Sequence, residues 1–153
     1  MFIFNIYLDN KKKLFNFGNI LSKIFFPKFI IFTLGNLGLG KTSLAKSFIG
    51  KFFNYRYHIK SPTYSVVETY LLFNIYIHHF DFYRVLNFNE LSNIDLFNYL
   101  NDNVLLFIEW GDNFIYKFFM PRICIFFFNF STFYDRFFFF KSDFINFYKL
   151  FKR

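Results

Sequence analysis

Eight consecutive residues, Gly35-Asn36-Leu37-Gly38-Leu39-Gly40-Lys41-Thr42, satisfy the pattern G-x-x-x-x-G-K-[ST] at every fixed position. That spacing suits the holding of a phosphate chain. Glycines let the backbone turn so that successive N–H groups face inward as an anion-binding nest, and a helix opening on the loop adds its positive end. In this arrangement Gly38, Leu39 and Gly40 cradle phosphate, Lys41 neutralises the β- and γ-phosphates, the Thr42 hydroxyl ligates Mg²⁺ and Ser43 reaches the α-phosphate. Glycine is scarce, six residues in all, yet three of them sit in this loop, which argues against an accidental glycine turn.

Carboxylates that complete such a site stand further along the chain. The apolar run 104–108 ends on Glu109, the form of a buried strand delivering a carboxylate at its carboxyl end, where open α/β sheets bind ligands. Glu109 would hold Mg²⁺ directly or through water, or orient an attacking water; taken alone it reads equally well as a surface cap. Asp81 closes the run 77–80 and would polarise a hydrolytic water or sit just beyond the metal's own ligands, with a turn aspartate as the rival reading. Ser61-Pro62-Thr63-Tyr64 is a turn with two hydroxyls, in which Thr63 has the character of a switch sensing a γ-phosphate through Mg²⁺; by itself a plain turn is the simpler account. Trp110, the single tryptophan, either stacks near the nucleotide or packs on the rim. His78 and His79 are adjacent, so a strand points them to opposite faces, poor geometry for a shared metal; both read as structural, one of them packing near the site.

The elements that must position these groups follow from periodicity. Residues 14–26 carry the apolar spacing of one helical face, 29–34 read as a buried strand, and a helix is expected from Lys41 to about Phe53. Two strands are expected over 64–70 and 71–80 with a bend at Phe73 and Asn74, a helix or helical turn over 89–100, and a central strand over 104–108. Beyond Asn113 the pattern degrades into Phe-rich strands of uncertain register. Strands interleaved with helices, without repeat or linker, predict an α/β layered fold and a single domain over residues 1–153.

Composition bounds the function more weakly. Phe (32 residues) and Tyr (11) dominate together with Ile, Asn and Lys, all of which have A/T-rich codons, so a Phe here is weak support for burial. A net charge of +8 permits attraction to a polyanion, although lysine accumulated by the same codon bias is the simpler account. Lys11, Lys12 and Lys13 form the only basic run and read as a solvated turn. The single cysteine, Cys124, excludes an internal disulfide or a cysteine-built zinc site, and its apolar surroundings predict a buried thiol. With neither a signal peptide nor an uninterrupted apolar stretch of membrane-spanning length, a cytoplasmic protein with no membrane and no disulfide partner is expected.

Together, Gly35–Ser43 (GNLGLGKTS), Lys60–Tyr64 (KSPTY), Glu68–Tyr70 (ETY), His79–Arg84 (HFDFYR), Asn89–Leu91 (NEL) and Ile108–Trp110 (IEW) resemble the TsaE (YjeE) family in order and separation, as does the stretch 14–23 with its Gly18. The resemblance covers about residues 14–112; residues 113–153 carry no clear family signature. It implies a P-loop NTPase fold with a mostly parallel central sheet flanked by few helices, weak ATPase activity dependent on ATP and Mg²⁺, and partnership with TsaB and TsaD. That assembly transfers threonylcarbamoyl to the adenosine beside the anticodon in tRNAs reading codons that begin with A, so tRNA is met indirectly, through the complex. By motif, Lys41, Thr42 and Ser43 bind phosphates and Mg²⁺, Thr63 is switch-like, and Asp81, Glu109 and Trp110 complete the site. Two positions depart from the family: Asn36 stands where an acidic residue is usual, and Leu39 where a small Ala is usual, so Leu39 is expected to crowd the loop. Other readings are a small P-loop kinase, which five dispersed arginines disfavour for want of a phosphoryl-clamping lid, and a non-hydrolysing nucleotide-gated scaffold.

Overall fold

Two strands, β2 (Phe29–Leu34) and β5 (Val104–Glu109), are buried along their whole length and pair in parallel at the centre of the molecule. Their near-continuous apolar runs are the pattern of strands covered on both faces. The computed structural model describes residues 2–24, 28–94, 96–99, 103–113, 122–130 and 136–142. These form one seven-stranded sheet in the order β1 (Phe2–Leu8), β7 (Arg136–Ser142), β6 (Arg122–Phe130), β2, β5, β4 (Ile75–Asp81) and β3 (Val67–Leu72). The four central strands β6, β2, β5 and β4 are mutually parallel. Antiparallel pairs extend the sheet on both sides, β3 on β4 at one edge and β7 then β1 beyond β6 at the other.

Parallel neighbours need crossovers, and helices lie in the chain between β2 and β4 and between β4 and β5. On one face α1 (Lys11–Leu21) and α2 (Lys41–Phe52) bring Leu14, Phe17, Leu44 and Phe48 against Ile31 and Phe107. On the other, Phe82 and Leu91 of the β4–α3 (Phe88–Asn93) region meet Ile30, Phe32, Leu106 and Ile108. Odd and even positions of β2 thus feed different cores, as strand alternation requires.

The expected strand 29–34, the helix from Lys41, the bend at Phe73 and Asn74 and the central strand all fall where their patterns place them. Four expectations change. The strands expected over 64–70 and 71–80 run over Val67–Leu72 and Ile75–Asp81, residues 64–66 being a turn and bend. The first helix starts at Lys11, because the Asn10 side chain accepts the Lys13 N–H at 2.9 Å and caps it; Lys11, Lys12 and Lys13 are its exposed first turn rather than a loop. The helix expected over 89–100 divides into the short α3 and a 3₁₀ turn, Leu96–Tyr99. The Phe-rich end acquires a definite register, with Phe127 opposite Phe139, and pairs with the N-terminal strand β1. The Cys124 side chain and residues 114–121 and 143–153 lie outside the described residues. Among the described residues, no helix is long and apolar enough to cross a membrane.

Candidate functional site

The chain leaves β2 at Leu34 and enters the glycine loop directly. Gly38 (φ 79°) and Gly40 (φ 102°) occupy the left-handed region that L side chains avoid. A Cβ at Gly38 would touch nothing within 4 Å, so conformation rather than space demands glycine there. Gly40 begins α2 with no side-chain capping bond, which leaves the first helical N–H groups to an external acceptor. Leu39 does not crowd the loop: its side chain is buried in the α1–α2 core and anchors the loop from beneath. Asn36 is exposed and contributes its carbonyl rather than its side chain.

Lys41 folds back over this loop. Its Nζ donates to the Gly35 and Asn36 carbonyls, both at 2.7 Å, and lies 3.7 Å from the centre of the Trp110 ring. Burial lowers its pKa, and the carboxylates of Glu109, Asp81 and Asp112 pull in the opposite direction. Trp110 reaches this position by turning out of β5 at φ 60°, a strained value for an aromatic residue. Its N–H is held by the Thr33 carbonyl at 3.2 Å, and its ring centre lies 5.0 Å from that of Tyr83. Trp110 is thus packed against the phosphate-loop lysine.

Parallel register sets Asp81 beside Glu109, and Glu109 beside Thr33, at the carboxyl ends of three neighbouring strands. Glu109 Oε2 accepts the Thr42 hydroxyl at 2.7 Å, and Oε1 lies 2.8 Å from His79 Nε2. Both His79 and Glu109 are sealed from solvent. His79 Nδ1 is buried with no hydrogen-bond partner among the described residues, so a proton there would be stranded; Nε2 therefore carries the N–H and donates to Glu109. Asp81 serves a different hydroxyl: Oδ2 accepts Thr63 at 2.9 Å, while Oδ1 accepts the Tyr83 N–H at 3.0 Å.

Gly38, Gly40, Lys41, Thr42, Ser43, Glu109 and Trp110 line one cleft of about 200 Å³ together with Leu37. Asp81 and Thr63 stand beside it, and Leu39 lies below it. The residue that sequence reasoning left out is His79. The opposite-face argument holds, since His78 bonds Thr69 at 2.9 Å and packs on Tyr99, where burial lowers its pKa to about 4. The available signal was spacing: His79 stands two residues before Asp81, on the same strand face. Chemically, the cleft brings together a cation, a helix N-terminus and a carboxylate bonded to a hydroxyl of that helix. Among the described residues no three His, Cys, Asp or Glu side chains form a metal cage. The donor set suits a hard cation that takes one or two protein oxygens and completes its shell with phosphate and water, as Mg²⁺ does.

Residues 8–131 match the family model described as threonylcarbamoyl adenosine biosynthesis protein TsaE. Three similar proteins bear the name tRNA threonylcarbamoyladenosine biosynthesis protein TsaE. The Haemophilus influenzae protein is 36% identical over 97 residues, covering 63% of this chain and 61% of that protein. The Rickettsia typhi protein is 31% identical over 105 residues (69% and 72%). The Nostoc protein is 30% identical over 116 residues (73% and 70%). This chain therefore matches about three fifths of the Haemophilus relative's length. The crystal structure of Bacillus subtilis YdiB superposes with a TM-score of 0.69 at 17% identity, covering 97% of this chain and 91% of that one, a likeness of fold.

Proposed function

Because this chain belongs to the TsaE family of threonylcarbamoyl adenosine biosynthesis proteins, we propose that it binds ATP with Mg²⁺ and supports threonylcarbamoyladenosine formation in tRNA as a weak ATPase working with TsaB and TsaD. The observation that carries the nucleotide site is the line of contacts His79–Glu109–Thr42, whose last two members share one cleft with Lys41. Lys41, now held by two carbonyls, would exchange them for the β- and γ-phosphates, and the α2 N-terminus would take further phosphate oxygens. Mg²⁺ would neutralise charge on the phosphates, and Thr42 and Glu109, now bonded to each other, would hold it. Asp81 would hold Thr63 ready as a γ-phosphate sensor. The acyl transfer itself would belong to TsaD. On this reading the whole chain acts as one domain, in the cytoplasm.

Two variants test the site. Lys41→Ala should abolish ATP binding in calorimetry, whereas Glu109→Ala should keep nucleotide and lose Mg²⁺-dependent turnover by roughly a hundredfold, the scale of one displaced charge-stabilising group. Unchanged turnover in Glu109→Ala removes that carboxylate from the mechanism. The partnership is tested by mixing the purified protein with its cognate TsaB–TsaD pair, with and without ATP; no complex in any nucleotide state rejects the accessory role.

A further inference from the structure

The acidic residues of this chain are unevenly placed. Between Asp9 and Glu68 the sequence holds ten lysines and arginines and no Asp or Glu, although ten acidic residues occur in the whole chain. Codon bias explains many lysines but not this vacancy, because Asp and Glu recur from Glu68 onward. The acid-free stretch builds α1, β2, the phosphate loop, α2 and the loop after it. Away from the phosphate loop, its outer surface carries a second cleft of about 180 Å³, lined by Phe15, Lys46, Tyr55, Tyr57, His58 and Ile59 with Gly50.

Rings are displayed here rather than hidden. Phe15 and Tyr55 stack with centres 5.1 Å apart, and Tyr57, 64% exposed, leans on Phe53. Tyr55 is fixed by a hydrogen bond from its hydroxyl to Asn19 Oδ1 and by close contact with Gly50, where an added Cβ would come within 2.9 Å of the ring. Exposed Lys51 and Arg56 lie on the elements that form this cleft, and exposed Lys11 stands one helical turn before Phe15. Fixed aromatic faces among cations, on a stretch of chain without Asp or Glu, are the chemistry that takes unstacked bases and their phosphates. An acidic protein surface would be met by the charge and by the rings alike; flat ring faces open to solvent add what a base in particular uses, a stacking partner.

We propose that the α1–α2 face, centred on Phe15, Tyr55 and Tyr57, binds single-stranded RNA directly, as an unpaired loop held by ring stacking and by lysine and arginine. The choice of RNA over single-stranded DNA rests on the tRNA-modification reading; the surface itself does not. The cleft is separate from the phosphate loop, so the two readings fail independently.

The test is fluorescence anisotropy of the full chain with a labelled RNA stem-loop, a fully paired RNA of equal charge, the matching DNA stem-loop, and ATP as competitor. The stem-loop should bind more tightly than the paired RNA, and ATP should not displace it. Tyr57→Ala should weaken stem-loop binding by about tenfold. The pair Lys46→Gln and Arg56→Gln should lower the slope of log affinity against log salt by about one to two. Both variants should keep wild-type ATP affinity, and Lys41→Ala should keep RNA affinity. Tyr57 is largely solvent-facing, so its removal reads binding rather than folding, and His58→Gln serves as a second, milder variant with a smaller loss. Equal binding of paired and looped RNA, displacement by ATP, preference for the DNA stem-loop, or wild-type affinity in Tyr57→Ala each overturns the proposal.

Discussion

At the scale of single residues, the site depends on Glu109 having two tasks for its two oxygens. One takes Thr42 and the other takes His79. A carboxylate this buried would be strongly penalised without donors, and the His79 N–H both satisfies it and fixes its plane. His79 is thus a positioning residue, reaching the cleft only through Glu109. His79→Ala should raise the Mg²⁺ concentration needed for half-maximal ATPase by about ten- to a hundredfold, the usual effect of removing such an outer partner, while Mg²⁺-free nucleotide binding stays near wild type. His79→Gln places an amide N–H near the former Nε2 and should recover part of the loss. A Mg²⁺ titration of both variants decides it: equal impairment of Ala and Gln would mean the ring fills space and does not orient Glu109.

At the scale of elements, β4 shows how one strand divides its labour. His79 and Asp81 face α2 and the site, while His78 faces Tyr99 and Phe80 on the opposite side. Burial favours neutral His78 and lowers its pKa from 6.5 to about 4. Above pH 6.5 the ring is neutral folded or unfolded and its contribution is complete. Between 6.5 and about 4 the unfolded chain takes up a proton that the folded chain refuses, so stability falls as pH falls, by no more than about 1.4 kcal/mol per pH unit for one proton. Below about pH 4 this group adds no further change. Melting temperatures of wild type and His78→Phe across that window should diverge, the wild type falling more steeply; parallel curves would clear His78 of the effect. The same strand marks how far the sequence could be read. The loop, α2 and the Glu109 strand were legible because each combines a fixed spacing with a burial pattern that phenylalanine bias cannot imitate. The strands β1, β6 and β7 were not, since consecutive apolar residues at both odd and even positions erase the alternation that sets register. The partnership of His79 with Glu109 joins residues thirty apart through a parallel register that no local pattern encodes.

At the scale of the molecule, the segment from Phe53 to Val66 connects the two clefts. It leaves α2 beside Tyr55 and Tyr57 and ends at Thr63 against Asp81. Its first half is anchored by Tyr55 and by Ile59, which is buried in the α1–α2 core; residues 60–66 are tied by the Lys60 N–H to the Tyr70 hydroxyl at 3.1 Å, by Thr63 to Asp81, and by the Asp81 N–H to the Val66 carbonyl at 3.0 Å. Val66 itself sits at φ 63°, a costly conformation for a β-branched side chain, and such strain persists only where surroundings enforce it. A largely solvent-exposed segment with stored strain has the low local stability expected of an element that changes state. If Thr63 reads the γ-phosphate, residues 60–66 should exchange their amide hydrogens severalfold more slowly with Mg²⁺ and a non-hydrolysable ATP analogue than with Mg²⁺-ADP, because only the former offers the terminal phosphate that would add a second tether to the Thr63 hydroxyl. Thr63→Val, which keeps the shape and removes the hydroxyl, should abolish that difference without changing ADP affinity. Equal protection by the two nucleotides in the wild type would reduce Thr63 to a structural partner of Asp81 and leave the segment without a nucleotide-sensing role.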